Sequence, residues 1–244
     1  MDIVHANGAV PLSRHDIQPA SPVLKSPGIG PAYAVRAISR PATEFTGDFY
    51  LTMQLDEVLW FGLGDFAGHG LASAIHMAMV QEELERIIPS CPSIDPVEVI
   101  AALDLSMREV LPFNRFATLV IGRAFKNGSV DIVNAGHSHP MLLRDTGTLE
   151  LIRSHGPVIG LVPGARWQHE TIRLGRGDRL VLYTDGIGEA AARCCLDEFG
   201  RERLANAIQR ADPANPLDSI LSEVDVFTEG TRHDDQTLLI LTRQ

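Results

Sequence analysis

Three features of the sequence predict an α+β fold. Apolar runs of strand length recur from Tyr33 to Thr242, hairpin-type turn signals separate several of them, and the helical stretches come in pairs instead of alternating with strands. The strand-like runs are "YAVRAISR", "DFYLTMQL", "VLWFGLG", "FATLVIGRAF", "VDIVNAG", "MLLR", "LELIR", "HETIRL", "RLVLYT" and "QTLLILT". Asn127-Gly128, between "FATLVIGRAF" and "SVDIVNAG", is the strongest short hairpin signal, because a tight two-residue turn demands the positive φ that these residues tolerate. "RDTGTLEL" reads as a second hairpin turn.

The first helical stretch, "LASAIHMAMVQEELERII", places Leu71, Ile75, Ala78, Met79 and Leu84 near one face. The second, "DPVEVIAALDLSMREVL", opens with Asp95 as N-cap, Pro96 at the first helical position and Glu98 completing a capping box. Its apolar stripe is Val97, Ile100, Leu103, Met107 and Val110. The second pair covers roughly "EFGRERLANAIQRA" and "PLDSILSEVDVFTE". Trp60 and Trp167 read as core or sheet-packing residues, and there is no internal repeat or low-complexity tract.

A chain of 244 residues is long enough to bury a sizeable core. Residues 1–31 carry Pro11, Pro19, Pro22, Pro27 and Pro31 without periodicity and read as an arm or linker, leaving 32–244 as the folded domain. No basic stretch followed by an apolar one opens the chain, and no apolar run has the length of a membrane span. Cys91, Cys194 and Cys195 are odd in number and two are adjacent, so they form no disulfide framework; a reducing cytoplasm is the expected setting. The formal charge of −10, with no basic run, argues against nucleic acid as a partner, since that affinity comes from Lys and Arg.

Acidic residues beside glycines or at the ends of apolar runs carry the chemistry. "TGDFY" presents Asp48, "FGLGDFAGHG" presents Asp65, "YTDGIGE" presents Asp185, and "RHDDQT" presents Asp234 and Asp235. Each has an ordinary reading alone: a bulge at Asp48, a turn before a helix at Asp65, a turn at Asp185, a solvated loop at Asp234-Asp235. Together they describe separate strands delivering carboxylates to one edge. Two unit charges about 4 Å apart repel by roughly 4 kcal/mol at an effective dielectric near 20. Several such pairs would rival a domain's whole stability of about 5–15 kcal/mol. Convergence therefore demands cations or bound protons, and an all-oxygen ligand set selects hard ions such as Mg²⁺ or Mn²⁺ over Zn²⁺.

In order and wording these segments resemble the metal-dependent serine/threonine protein phosphatases of the protein phosphatase 2C superfamily, in their bacterial SpoIIE-like branch. "PATEFTGDFY", "GDFAGHG", "NAGHSHP", "TDGIGE" and "DDQT" each match a motif of that branch, and the resemblance runs from about Ile17 to Leu241. It implies a four-layer αββα sandwich, two antiparallel sheets flanked by helix pairs, with two Mn²⁺ or Mg²⁺ ions at one sheet edge. Asp65 would bridge the ions, Asp48 and the backbone carbonyl of Phe66 would complete one, and Asp185 and Asp234 the other. Three positions depart from the pattern: Thr46 replaces a glycine, Leu51 replaces an aspartate, and Phe66-Ala67 replaces Val-Ser. None removes an expected ligand of the two-ion core, which is why an inactive homologue is not expected.

The resemblance further implies hydrolysis of phosphoserine or phosphothreonine, by a metal-bridged water attacking phosphorus. His69 is the side-chain candidate for general acid, set against a structural role in a Gly-rich turn. Arg40 is the candidate for meeting the phosphate, set against an exposed strand-end arginine. His137 and His139 are expected to fix a loop beneath the site. The implied target is a phosphorylated regulatory protein, an anti-sigma antagonist of STAS type in a partner-switching or stress pathway, with a separate scaffold protein as activator. A two-metal phosphodiesterase or nucleotide hydrolase, and a non-catalytic scaffold of the same fold, are the alternatives.

Overall fold

The computed structural model describes residues 32–244 apart from 69, 92, 113, 154 and 193–196. The proposed arm at 1–31, His69, Cys194 and Cys195 therefore lie outside the described residues. The elements are β1 (Tyr33–Arg40), β2 (Asp48–Leu55), β3 (Val58–Phe66), α1 (Leu71–Ser90), α2 (Pro96–Val110), β4 (Ala117–Phe125), β5 (Ser129–Ala135), β6 (Met141–Leu143), β7 (Leu149–Leu151), β8 (Glu170–Arg173), β9 (Arg179–Tyr183), α3 (Asp185–Gly188), α4 (Gly200–Arg210), α5 (Pro216–Phe227) and β10 (Gln236–Arg243). Two five-stranded sheets result, in the orders β1-β10-β9-β6-β7 and β2-β3-β4-β5-β8, with antiparallel pairing throughout.

Side-chain alternation explains why the sheets stack. Along β3, Leu59, Phe61 and Leu63 point into the apolar layer between the sheets, while Trp60 and Phe66 point the other way, into the layer under α1 and α2. A third apolar layer joins the outer face of the β9–β10 sheet to α4 and α5 through Val181, Ile240, Leu204 and Ile220. The order is helix pair, sheet, sheet, helix pair, as the resemblance implies. Burial of these faces is the main stabilising force, because each sheet is apolar on both sides. The Asn127-Gly128 turn closes β4 onto β5: the Gly128 amide donates to the Phe125 carbonyl at 2.9 Å and the Ser129 amide to Asn127 Oδ1 at 2.8 Å.

The α2 cap is as expected. Asp95 accepts from the Val97 amide and Glu98 takes the Asp95 amide, which completes the box. Ile100, Leu103 and Met107 are buried, whereas Val110, the last residue of the helix, is exposed. The face assigned to α1 needs correction. The helix buries Ser73, Val80, Leu84, Ile87 and Ile88, and leaves Leu71 55% and Ile75 52% exposed. The face that packs is set by Val80, Leu84, Ile87 and Ile88, which join the apolar layer under the sheet, and Ser73 on the first turn lies beside Gly47 of the loop before β2. The short α3, at the end of β9, was not foreseen as a helix.

Candidate active site

The register of β2 against β3 sets Asp48 directly opposite Asp65, and Asp65 faces Thr118 of β4 on its other side. One sheet thus supplies two carboxylates at the same edge. The other sheet supplies the rest, since β9 ends at Tyr183 just before Asp185 and β10 begins just after Asp234-Asp235. A Cβ on Gly186 would collide with the Asp235 carbonyl, so only glycine lets these two turns close on each other. The sheets are pinned across the gap by Thr184, whose hydroxyl donates to Asp48 Oδ2 at 2.9 Å and accepts from the Thr237 amide at 2.9 Å.

The carboxylates feel one another. Burial, then the charge of Asp65, pushes Asp48 from 3.8 up to about 8, against the opposing hydrogen bonds of Thr237 and Thr184. Burial, then Asp185, Asp234 and Asp235, pushes Asp65 up to about 7. Asp185 is raised by burial and by Asp234, and Glu189, unassigned from sequence, is raised by burial and by Asp185, Glu198 and Asp234. Desolvation and like charge both disfavour the ionised form, and a bound cation would offset both. The structure therefore brings Asp48, Asp65, Asp185 and Asp234 to one edge. Among the described residues, no three His, Cys, Asp or Glu side chains close into an ion cage.

Asp235 does a different job from its neighbour. Its Oδ1 accepts the Ala42 amide and its Oδ2 the Gly47 amide, both at 2.8 Å, which clamps the loop before β2 over the edge. Gly47 in turn accepts the Phe66 amide at 3.2 Å. A Cβ on Gly47 would stand 3.2 Å from the Phe66 carbonyl oxygen and 3.3 Å from Asp65 Oδ1, so both oxygens converge on space that a side chain would fill. Such a pair of hard oxygen donors, beside further carboxylates, fits a divalent cation. Asp235 was legible as an acidic residue but its clamping role was not, because nothing in "DDQT" says which of two adjacent aspartates faces the loop.

The histidine and arginine candidates separate. His137 is buried and pushed down to about 4 by desolvation, with the Tyr183 backbone opposing. Its amide donates to Asn134 Oδ1 at 2.8 Å, and its Nδ1 lies 2.7 Å from Thr118 Oγ1, which reaches the Asp65 carbonyl at 3.4 Å. Through Thr118 it supports the end of β3 at Asp65. Arg40 is committed elsewhere: one nitrogen donates to both Asp225 oxygens, at 2.8 and 2.9 Å, so this side chain is bound to α5 and not directed at the carboxylate edge. A cleft of about 390 Å³ adjoins Asp185, with His137, His139, Glu189 and Arg201 among its lining residues.

The comparisons agree with this architecture. The family model for stage II sporulation protein E (SpoIIE) matches residues 56–244. The chain is 26% identical to Protein IcfG of Synechocystis sp. (strain ATCC 27184 / PCC 6803 / Kazusa), aligned over 86% of this chain and 38% of that protein. It is 25% identical to phosphoserine phosphatase RsbP of Bacillus subtilis (strain 168), over 89% of this chain and 54% of that protein. The chain thus spans only part of the length of these curated relatives. In structure it resembles the SiaA-PP2C domain of Pseudomonas aeruginosa, with TM-score 0.78, 19% identity and 86% coverage of both chains. With the model matched over most of its length, the chain belongs to the SpoIIE family, within the phosphatase superfamily that its motifs resemble.

Proposed function

We propose that the chain is a divalent-metal-dependent protein phosphatase that removes phosphate from serine or threonine of a regulatory protein, in the cytoplasm. The observation that carries this reading is the pairing of Asp48 with Asp65 on one sheet opposite Asp185 and Asp234 on the other. Membership of the SpoIIE family and the likeness to RsbP, whose name is phosphoserine phosphatase, support it. Among the described residues no helix is long and apolar enough to cross a membrane.

Asp48, Asp65, the Phe66 carbonyl, Asp185 and Asp234 would hold two Mg²⁺ or Mn²⁺ ions. Bound there, the ions would supply Lewis-acid activation of water and offset the phosphoryl charge. The chain's own residues prepare that binding. Thr184 fixes the Asp48 carboxylate, Asp235 holds the loop that keeps Gly47 against the Phe66 carbonyl, and His137 supports the backbone of Asp65 through Thr118. Without a cation this acidic edge repels a phosphate dianion, so substrate binding and ion binding are coupled. The departing serine alkoxide needs a proton, and His69 is the side chain we propose for it.

The target we propose is a phosphorylated anti-sigma antagonist of STAS type, with a separate protein as activator. Mn²⁺-dependent hydrolysis of a phosphoserine peptide, compared between wild type and Asp65→Asn, tests the reading. Turnover that vanishes with EDTA and in the variant is the expected result. An inactive wild type that binds no Mn²⁺ in calorimetry would return the chain to the scaffold alternative.

A further inference from the structure

The cleft beside Asp185 has two chemically different ends. Its inner end is the carboxylate edge. Its outer end carries Arg201, the second residue of α4, exposed and without an ion pair among the described residues. Other arginines of the same helix are committed: Arg203 to Asp197 at 2.8 Å, and Arg210 to Glu223 at 2.7 Å. His139 and Tyr183 line the same cleft as Arg201. Among the described residues that line the cleft, Arg201 is the one Lys or Arg, on a chain whose formal charge is −10. Glu189 and Glu198 also line the cleft, and Glu170 lies 3.3 Å from His155.

An unpaired arginine costs little at the surface, but here it stands where a substrate must pass to reach Asp185. It stands on α4, a different element from those that carry the proposed ion ligands. What a cation at this distance recognises is a second negative group on the same substrate. Resting on the phosphatase reading above, we infer that the outer cleft docks an acidic segment flanking the target phosphoserine, with Arg201 reading a carboxylate of that segment and His139 forming the wall beside it. On a chain of net charge −10, a single cation at this point also orients the segment, phosphoserine inward.

The test uses two phosphoserine peptides of equal length, one with Asp and Glu beside the phosphoserine and one with Asn and Gln in their place. The measured quantity is the ratio of kcat/KM between them within each variant, in Mn²⁺, at low and at 0.5 M salt. A folding defect scales both peptides alike and leaves that ratio unchanged. Wild type should favour the acidic peptide by roughly three- to tenfold, less at high salt, as expected for a partly exposed ion pair. Arg201→Gln should bring the ratio near one, Arg201→Lys should recover part of it, and Arg201→Glu should invert it. A wild-type ratio of one, or one unaltered by all three substitutions, overturns the inference while leaving the phosphatase reading intact. No turnover of either peptide overturns both.

Discussion

The two halves of the carboxylate edge are built differently. The β2–β3 half is enclosed: Asp48 is 3% exposed, bonded to Thr184, and set in ladder register with Asp65. The half contributed by the second sheet is less enclosed, with Asp185 half-buried at the start of a four-residue helix and Asp234 exposed on a loop. Burial raises Asp185 as it raises Asp48 and Asp65, so the difference between the halves lies in the exposed Asp234. A rigid, desolvated pair defines a position, and a pair with one exposed member adapts to what arrives there. The ion shared with the enclosed half should therefore bind more tightly, and the one resting on the less enclosed half should exchange more readily.

The largest expected effect is on the residue common to both halves. Asp65→Asn should lower Mn²⁺-dependent phosphoserine hydrolysis by roughly two to three orders of magnitude, as for loss of a central electrostatic group. Retained activity in that variant would remove Asp65 from the centre. Asp234→Asn should cost about tenfold and be recovered by raising Mn²⁺, whereas Asp48→Asn should cost more and resist recovery. Equal responses of the two variants to a Mn²⁺ titration would erase the proposed asymmetry.

Stability gives an independent reading. Asp48 and Asp65 have folded-state values raised above 3.8, so the folded protein binds more protons than the unfolded one between about pH 4 and 8. Their contribution to stability is complete below pH 4 and is lost as the pH rises through about 7 and 8. In EDTA the melting temperature should fall between pH 6.5 and 8.5, by on the order of a few degrees, and Mg²⁺ should recover it at the upper pH. Asp48→Asn should flatten the slope, and a slope that persists in this variant would point to other groups. Asp235→Ala, which leaves the Ala42 and Gly47 amides without partners, should destabilise the fold by about 1–3 kcal/mol in urea titration. At the small end, Leu71→Gln and Ile75→Gln should shift stability by less than about 0.5 kcal/mol, because both side chains already face solvent.

Much of this was legible in the sequence where local chemistry decides structure. The strand runs, the Asn127-Gly128 hairpin and the Asp95-Pro96-Glu98 cap depend on neighbours in the chain, and they stand where expected. The stacking order did not follow from periodicity and came with the motif resemblance. The α1 face differs from the expected one because Leu71 and Ile75 are apolar at helical spacing, while the packing is made by Val80, Leu84, Ile87 and Ile88 against strands and α2 residues distant in the chain. The same distance effect hid the Asp235 clamp and the commitment of Arg40 to Asp225. In each case the deciding partner lies far along the chain, beyond the reach of any local pattern.

One feature of the β1-β10-β9 sheet bears on the protein's birth. β10 occupies the interior of that sheet, between β1 and β9, and Asp235 just ahead of it clamps the loop that leads into β2. A ribosome that has delivered β1 through β9 has made two edges with no common partner, and a carboxylate edge lacking Asp234 and Asp235. Closure pairs Tyr33 with Arg243, a contact of very long sequence separation and slow to form. Nascent chains should therefore keep these edges unpaired, and the carboxylate edge incomplete, until this segment emerges.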